Sequence, residues 1–227
     1  MIIIRYNKIN SYHYIIKMSI LKNAFVIHDN DFINKESADE YFKILNELTD
    51  WKYNTVKGYA LNRETIVFAD PEIVADKSKI PPIWGDNIVV LEWPKEILEL
   101  KGKVEQKVKE LTGVDWVYNI ALGNRYKKAK DYISPHSDRE EWGSTKSISS
   151  ISLGIPRTFN YMNKDLEANE KISLVLNNGS LIFMGDNCQE KYTHGMKKES
   201  LTKLADKETL EKYNNTRINI TFRVWNY

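Results

Sequence analysis

The chain reads as an α+β protein whose C-terminal half is a sandwich or barrel of short strands. Three observations predict this. Two helix-period segments are confined to the first half, and a succession of short β-rich segments follows residue 115. The last of these, RINITFRVW over residues 217–225, alternates polar and apolar side chains strictly.

In chain order, the opening MIIIRYNKINSYHYIIK carries polar and charged residues throughout and makes a poor signal peptide. Residues 1–17 read as a flexible extension or an upstream start before Met18. The first helix is predicted over 37–48, with Ser37 and Glu40 forming a capping box and Tyr41, Phe42, Leu45 and Leu48 on one face. Residues 52–93 mix short apolar pieces with proline and glycine, so strands and long loops are expected there. A second helix is predicted over 94–113, with Pro94 at its start and Gly113 as its stop. Strands follow within 116–126, 147–154 and 158–163, and Asn178-Gly179 predicts a hairpin between ISLVL and SLIFM. No internal repeat or linker divides the chain. One structural domain is expected, with helices and a lid in residues 18–114 and the strand-rich core in 115–227.

Composition limits the function classes. Hydrophobic residues make up 42% of the 227 residues, enough for a sizeable core. A formal net charge of +2 is too mild to require a polyanionic partner and does not oppose one. No apolar run is long enough to span a bilayer. The single cysteine, Cys188, excludes an internal disulfide framework and fits a reducing intracellular compartment, nucleus or cytoplasm.

The chemistry-bearing residues are few. His136 and Asp138, in SPHSDREEW, are two apart, and strand spacing would place them on one face. A surface polar pair is the plainer reading of that stretch alone. With His194 added, two histidines and one carboxylate make the ligand set of non-haem Fe(II) sites. His194 follows the predicted hairpin, whereas His13 and His28 lie in the weakly patterned N-terminal region. In the final strand Arg217, Asn219, Thr221 and Arg223 share one face. That face is either an exposed edge or a cavity wall offering guanidinium forks to a dicarboxylate.

Together NRYKKAKDYISPHSDREE, SISLGIPRTF, GSLIFMGDNCQEKYTHG and RINITFR resemble the successive signatures of the AlkB family. The resemblance runs from about Asn119 to Trp225. It implies a double-stranded β-helix (jelly-roll, cupin-like) core with flanking N-terminal helices. It also implies Fe(II), 2-oxoglutarate as cosubstrate and O2, with His136, Asp138 and His194 as the iron ligands. Arg217 would pair with the distal carboxylate of 2-oxoglutarate, supported by Tyr126 and Asn124; Asn219 and Arg223 would complete the pocket near the metal. Glu140 matches an acidic position that approaches the target base. Arg63, Phe68 and Trp84 are candidate lid residues, each equally readable as core or loop. Tyr192 and Lys197 depart from the family's tryptophan and proline, and neither is a ligand position.

The implied activity is oxidative N-demethylation of 1-methyladenine and 3-methylcytosine in DNA, releasing formaldehyde, succinate and carbon dioxide. Arg157, after Ser-Leu-Gly, looks closer to the DNA-repair branch than to the protein-directed one. RNA, a protein side chain or a small metabolite is the alternative substrate of the same mechanism. The expected partner is nucleic acid, with the base flipped or single-stranded. Lys127, Lys128 and Lys130 would contact the backbone, or else form a solvated loop. The enzyme is expected to be monomeric and not membrane-bound.

Overall fold

The computed structural model describes residues 19–141 and 143–226. The extension expected over residues 1–17, and His13 within it, lie outside the described residues.

The first half contributes β1 (Val26–Asp29), α1 (Lys35–Glu47), β2 (Lys52–Val56), β3 (Tyr59–Ala69), α2 (Pro71–Val74), β4 (Val90–Glu92) and α3 (Lys95–Thr112). α1 begins two residues before the expected capping box. Asn34, in an extended conformation, caps it by accepting from the Ser37 N–H at 2.9 Å, so Ser37 lies within the first turn. α3 starts after Pro94, as its sequence predicts, and stops at Gly113, whose φ of 73° is left-handed.

The second half contributes β5 (Ile120–Tyr126), β6 (Ile133–His136), β7 (Ile148–Gly154), β8 (Arg157–Asn163), β9 (Lys171–Leu176), β10 (Ser180–Met184), α4 (Cys188–Lys191), β11 (Tyr192–Met196), α5 (Lys207–Lys212) and β12 (Arg217–Arg223). These strands form two facing sheets. The larger runs β1-β10-β7-β12-β5-β3-β2, with β4 parallel to β3; the smaller runs β6-β11-β8-β9. β1 to β4, from the first half, thus continue the larger sheet.

The expected β9–β10 hairpin does not form. β9 pairs with β8 in the small sheet, while β10 lies between β7 and β1 in the large one. Asn178-Gly179 therefore reverses the chain while carrying it from one sheet to the other. Gly179 has φ +86°, and a Cβ there would lie 2.5 Å from the Ile33 carbonyl oxygen. Asn178 accepts from Gly154 N–H and donates to Asp39 and Tyr213, fixing the crossover.

β12 sits centrally, between β5 and β7. Its apolar residues Ile218, Ile220 and Phe222 enter the main core, where α1 and α3 cover the outer face of the large sheet. A central position removes the edge-strand explanation for its polar face, which turns toward the small sheet.

Candidate active site

Two registers assemble the site. In the small sheet His194 on β11 pairs directly with His136 on β6, and their ring centroids are 4.5 Å apart. Asp138 lies just past β6. Its Oδ1 is 3.8 Å from His136 Nε2 and its Oδ2 is 3.6 Å from His194 Nε2. One ligand atom from each of the three residues lies within 4.8 Å of the others. The small sheet, rather than a hairpin, delivers His194.

Neighbouring groups orient and tune this trio. His136 Nδ1 is 2.9 Å from the Ser134 carbonyl oxygen, which can only accept, so in the neutral ring the hydrogen sits on Nδ1 and Nε2 keeps its lone pair for a metal. Phe159 stacks on His194 with centroids 5.6 Å apart, and Gln189 accepts from the Asp138 N–H at 2.9 Å. Burial opposes ionisation of Asp138, but Arg223, whose Nη2 lies 2.6 Å from Oδ2, and the two histidines outweigh it and bring the carboxyl down to about 2. Burial and the neighbouring His136 hold His194 down at about 3. At neutral pH the trio therefore offers an anionic carboxylate and an uncharged imidazole, as metal ligation requires.

In the large sheet the register aligns Arg217 with Tyr126 and Asn219 with Asn124. Arg217 Nη2 donates to Ser152 Oγ at 2.8 Å, and its guanidinium lies 5.4 Å from the Tyr126 ring. Asn219 Nδ2 donates to Ser150 Oγ at 2.6 Å, and Thr221 Oγ1 donates to Asn219 Oδ1 at 3.0 Å. Arg217 Nε, Arg223 Nε and Arg223 Nη1 are buried donors with no acceptor among the described residues. Buried guanidinium N–H groups need acceptors, and an anionic carboxylate supplies them. The residues present therefore fit a divalent metal beside a dicarboxylate.

A cavity of about 430 Å³ connects both halves, lined by His136, Asp138, His194 and the polar face of β12. Its far wall comes from the N-terminal half. Val56, Ala60, Leu61 and Arg63 reach it from the β2–β3 hairpin, and Ile83 and Trp84 from the loop before β4. Arg63 Nε donates to Asn124 Oδ1 at 2.5 Å, and Arg223 lies over the Trp84 ring at 5.9 Å. Asp86 accepts from Thr55, Lys57 and Gly58, tying the hairpin tip to that loop.

Two expected substrate residues are elsewhere. Phe68 is fully buried in the main core, because its pairing with Ala121 turns it to the helix-covered face of the sheet. Glu140 is exposed, and its carboxylate accepts from the N–H and hydroxyl of Thr145, closing its own loop away from the cavity lining. Ser150, Ser152, Phe159 and Tyr132 line the site or support it without having been singled out in the sequence. The signal for the serines is their alternation with isoleucine in SISSIS, opposite the polar face of β12.

The model of the 2OG-Fe(II) oxygenase superfamily matches residues 25–223. The chain belongs to that superfamily. Membership implies Fe(II), 2-oxoglutarate and O2, which the donor set above fits. Within the superfamily its relatives are AlkB homologues, in agreement with the signatures read from the sequence. The oxygenase is 27% identical over 204 residues to alpha-ketoglutarate-dependent dioxygenase alkB homolog 3 of Homo sapiens; the aligned part is 85% of this chain and 63% of that protein. It is 31% identical over 129 residues to the DNA oxidative demethylase ALKBH2 of Arabidopsis thaliana, across 47% of this chain and 38% of that one. The chain thus spans less than two thirds of the length of these relatives. Among solved structures it is similar to OsALKBH1, with a TM-score of 0.62 at 16% identity, covering 90% of this chain and 98% of that one. That likeness bears out the double-stranded β-helix with flanking helices. Among the described residues no helix is long and apolar enough to cross a membrane.

Proposed function

We propose that this oxygenase removes N-methyl groups oxidatively from alkylated bases, with 1-methyladenine and 3-methylcytosine in DNA as substrates. The observation that carries the reading is one cavity holding a His-Asp-His donor set on one wall and buried, acceptor-seeking arginines on the other. Its volume lies in the range of roughly 300–1,000 Å³ common to small-ligand sites, and residues of the N-terminal half line its far side.

In this reading His136, Asp138 and His194 hold the metal, and Arg217 pairs with the distal carboxylate of the cosubstrate. Asn124, Tyr126 and Asn219 shape that pocket, while Arg223 steadies Asp138. Fe(II) with 2-oxoglutarate and O2, when bound, supplies the oxidising power to hydroxylate a methyl group, with formation of succinate and carbon dioxide. Arg63, Trp84 and the β2–β3 hairpin exclude water from the far wall and position the base, which must leave its stack to enter. The relatives whose names denote DNA demethylation support the choice of substrate.

Mass spectrometry of a DNA oligonucleotide carrying one 1-methyladenine tests it, with the same RNA sequence alongside. Loss of one methylene from the DNA, dependent on Fe(II) and 2-oxoglutarate and abolished in folded His136→Ala, is the expected result. Succinate formation with neither oligonucleotide altered would overturn the substrate assignment; an active His136→Ala would overturn the metal assignment.

A further inference from the structure

The cavity leaves Arg157 unused. It is 1% exposed, and a buried guanidinium is costly unless its donors are occupied. Its Nη2 donates to the carbonyls of Asp131 at 3.0 Å and Lys197 at 2.9 Å, and its Nε donates to Glu199 Oε1 at 3.0 Å, leaving only Nη1 without a partner among the described residues. Glu199 N–H in turn donates to the Ala129 carbonyl at 3.3 Å. Two surface loops, residues 127–131 and 197–199, are thereby held side by side.

These loops carry five exposed lysines: Lys127, Lys128, Lys130, Lys197 and Lys198. The acids among them face inward. Asp131 accepts from the backbone N–H groups of Lys127 and Lys128, and Glu199 is engaged by Arg157 and the Thr158 N–H. Lys127 Nζ lies 4.0 Å from Glu64, whose carboxylate is already held at 2.6 Å by Arg125. In a chain with a formal net charge of only +2, this is a concentrated cationic ridge. It borders the cavity: Lys198 Nζ sits 4.8 Å over the ring of Tyr132, a cavity-lining residue.

We propose that the loops stapled by Arg157 form a preorganised ridge for the phosphodiester backbone of the strand whose base enters the cavity. The inference rests on the nucleic-acid reading above. Lysines are point charges suited to phosphates without regard to sequence, and loops already fixed lose little freedom on binding. The Tyr132 face beside Lys198 adds a stacking surface at the entrance.

The test is the salt dependence of binding, with Lys128→Gln, Lys130→Gln and Lys197→Gln combined, none of which lines the cavity. Affinity for a fluorescein-labelled methylated single-stranded oligonucleotide is measured across a range of NaCl concentrations. If each lysine neutralises one phosphate, the log–log slope flattens by about 2; binding is then about 100-fold weaker at 0.1 M and converges with wild type near 1 M. Succinate formation without oligonucleotide stays unchanged. An unaltered slope and affinity in the variant, while wild type demethylates the oligonucleotide, would overturn the ridge alone. A wild type that consumes 2-oxoglutarate but neither binds nor demethylates oligonucleotides overturns the nucleic-acid reading and the ridge with it.

Discussion

Replacing Arg217 by lysine keeps a positive charge and removes the fork. Arg217 is 3% exposed, donates from Nη2 to Ser152 and leaves Nε without an acceptor among the described residues. A lysine there has one nitrogen to divide between Ser152 and a carboxylate. Losing a hydrogen bond between charged groups costs about 1.5–3 kcal/mol, which is about a 10- to 150-fold rise in the 2-oxoglutarate Kd. Because the contact lies away from the reacting methyl, it serves ground and transition states alike, so KM rises and kcat at saturation changes little. Burial also adds a pH effect. It is the chief cause that brings even this arginine down to about 10, and the same desolvation acts on a lysine that starts from about 10.4. The variant's KM should therefore climb further with rising pH while the wild-type KM stays flat. Succinate formation at varied 2-oxoglutarate, with calorimetric titration of anaerobic metal-loaded protein and a thermal melt as controls, measures all three. A KM within twofold of wild type in a folded variant refutes the assignment of Arg217 to the cosubstrate carboxylate.

Phe68→Ala should behave as a core truncation, losing about 3–5 kcal/mol in denaturant unfolding, while Phe68→Leu keeps oligonucleotide KM within error; a raised KM with unchanged stability would return Phe68 to the substrate. The Asp39 staple links α1, α5 and the crossover turn through Lys212, Tyr213 and Asn178, with Lys35 beside it on α1. Burial opposes its ionisation, but Lys212, Tyr213 and Lys35 prevail and hold the carboxyl below its ordinary 3.8. A depressed folded value stabilises above the unfolded pKa and loses that contribution as pH falls through the folded one. The melting-temperature gap between wild type and Asp39→Asn should thus be steady near neutrality and close below about pH 4; a gap that widens on acidification contradicts the staple.

The legible parts of this protein are those where chemistry restricts residue type. β12 could be read because strict alternation left four polar side chains on one face, and only a cavity or an edge explains that. His136, Asp138 and His194 could be read as one cluster because a metal would demand those donor types, and the structure brings the three together. The misreadings arose where the deciding partner is distant in sequence. Asn178-Gly179 encodes a reversal but not what the next strand pairs with, and β7 and β1 had already taken both sides of β10. Ser37 with Glu40 satisfied a capping pattern that Asn34 filled three residues earlier. Phe68 read equally as lid, core or loop, and its register with β5 places it in the core.

Beyond Arg63 and Trp84, the far wall of the cavity was illegible for a different reason. Excluding water asks for shape and apolar surface, which Val56, Leu61 and Ile83 provide without any diagnostic pattern. Its one distinctive feature is the Asp86 clamp, which ties two segments about 30 residues apart and so lies beyond any local motif. The same logic separates Arg157 from Arg217. Each sits at a strand's first residue, nearly fully buried, in a stretch that resembles an AlkB signature. Each also keeps one donor without a partner among the described residues, Nη1 of Arg157 and Nε of Arg217, so surroundings separate them. Arg157 is engaged by Glu199 and by carbonyls of two loops outside the cavity lining, which makes it a scaffold group; Arg217 bonds a serine and lines the cavity, where a ligand can reach it.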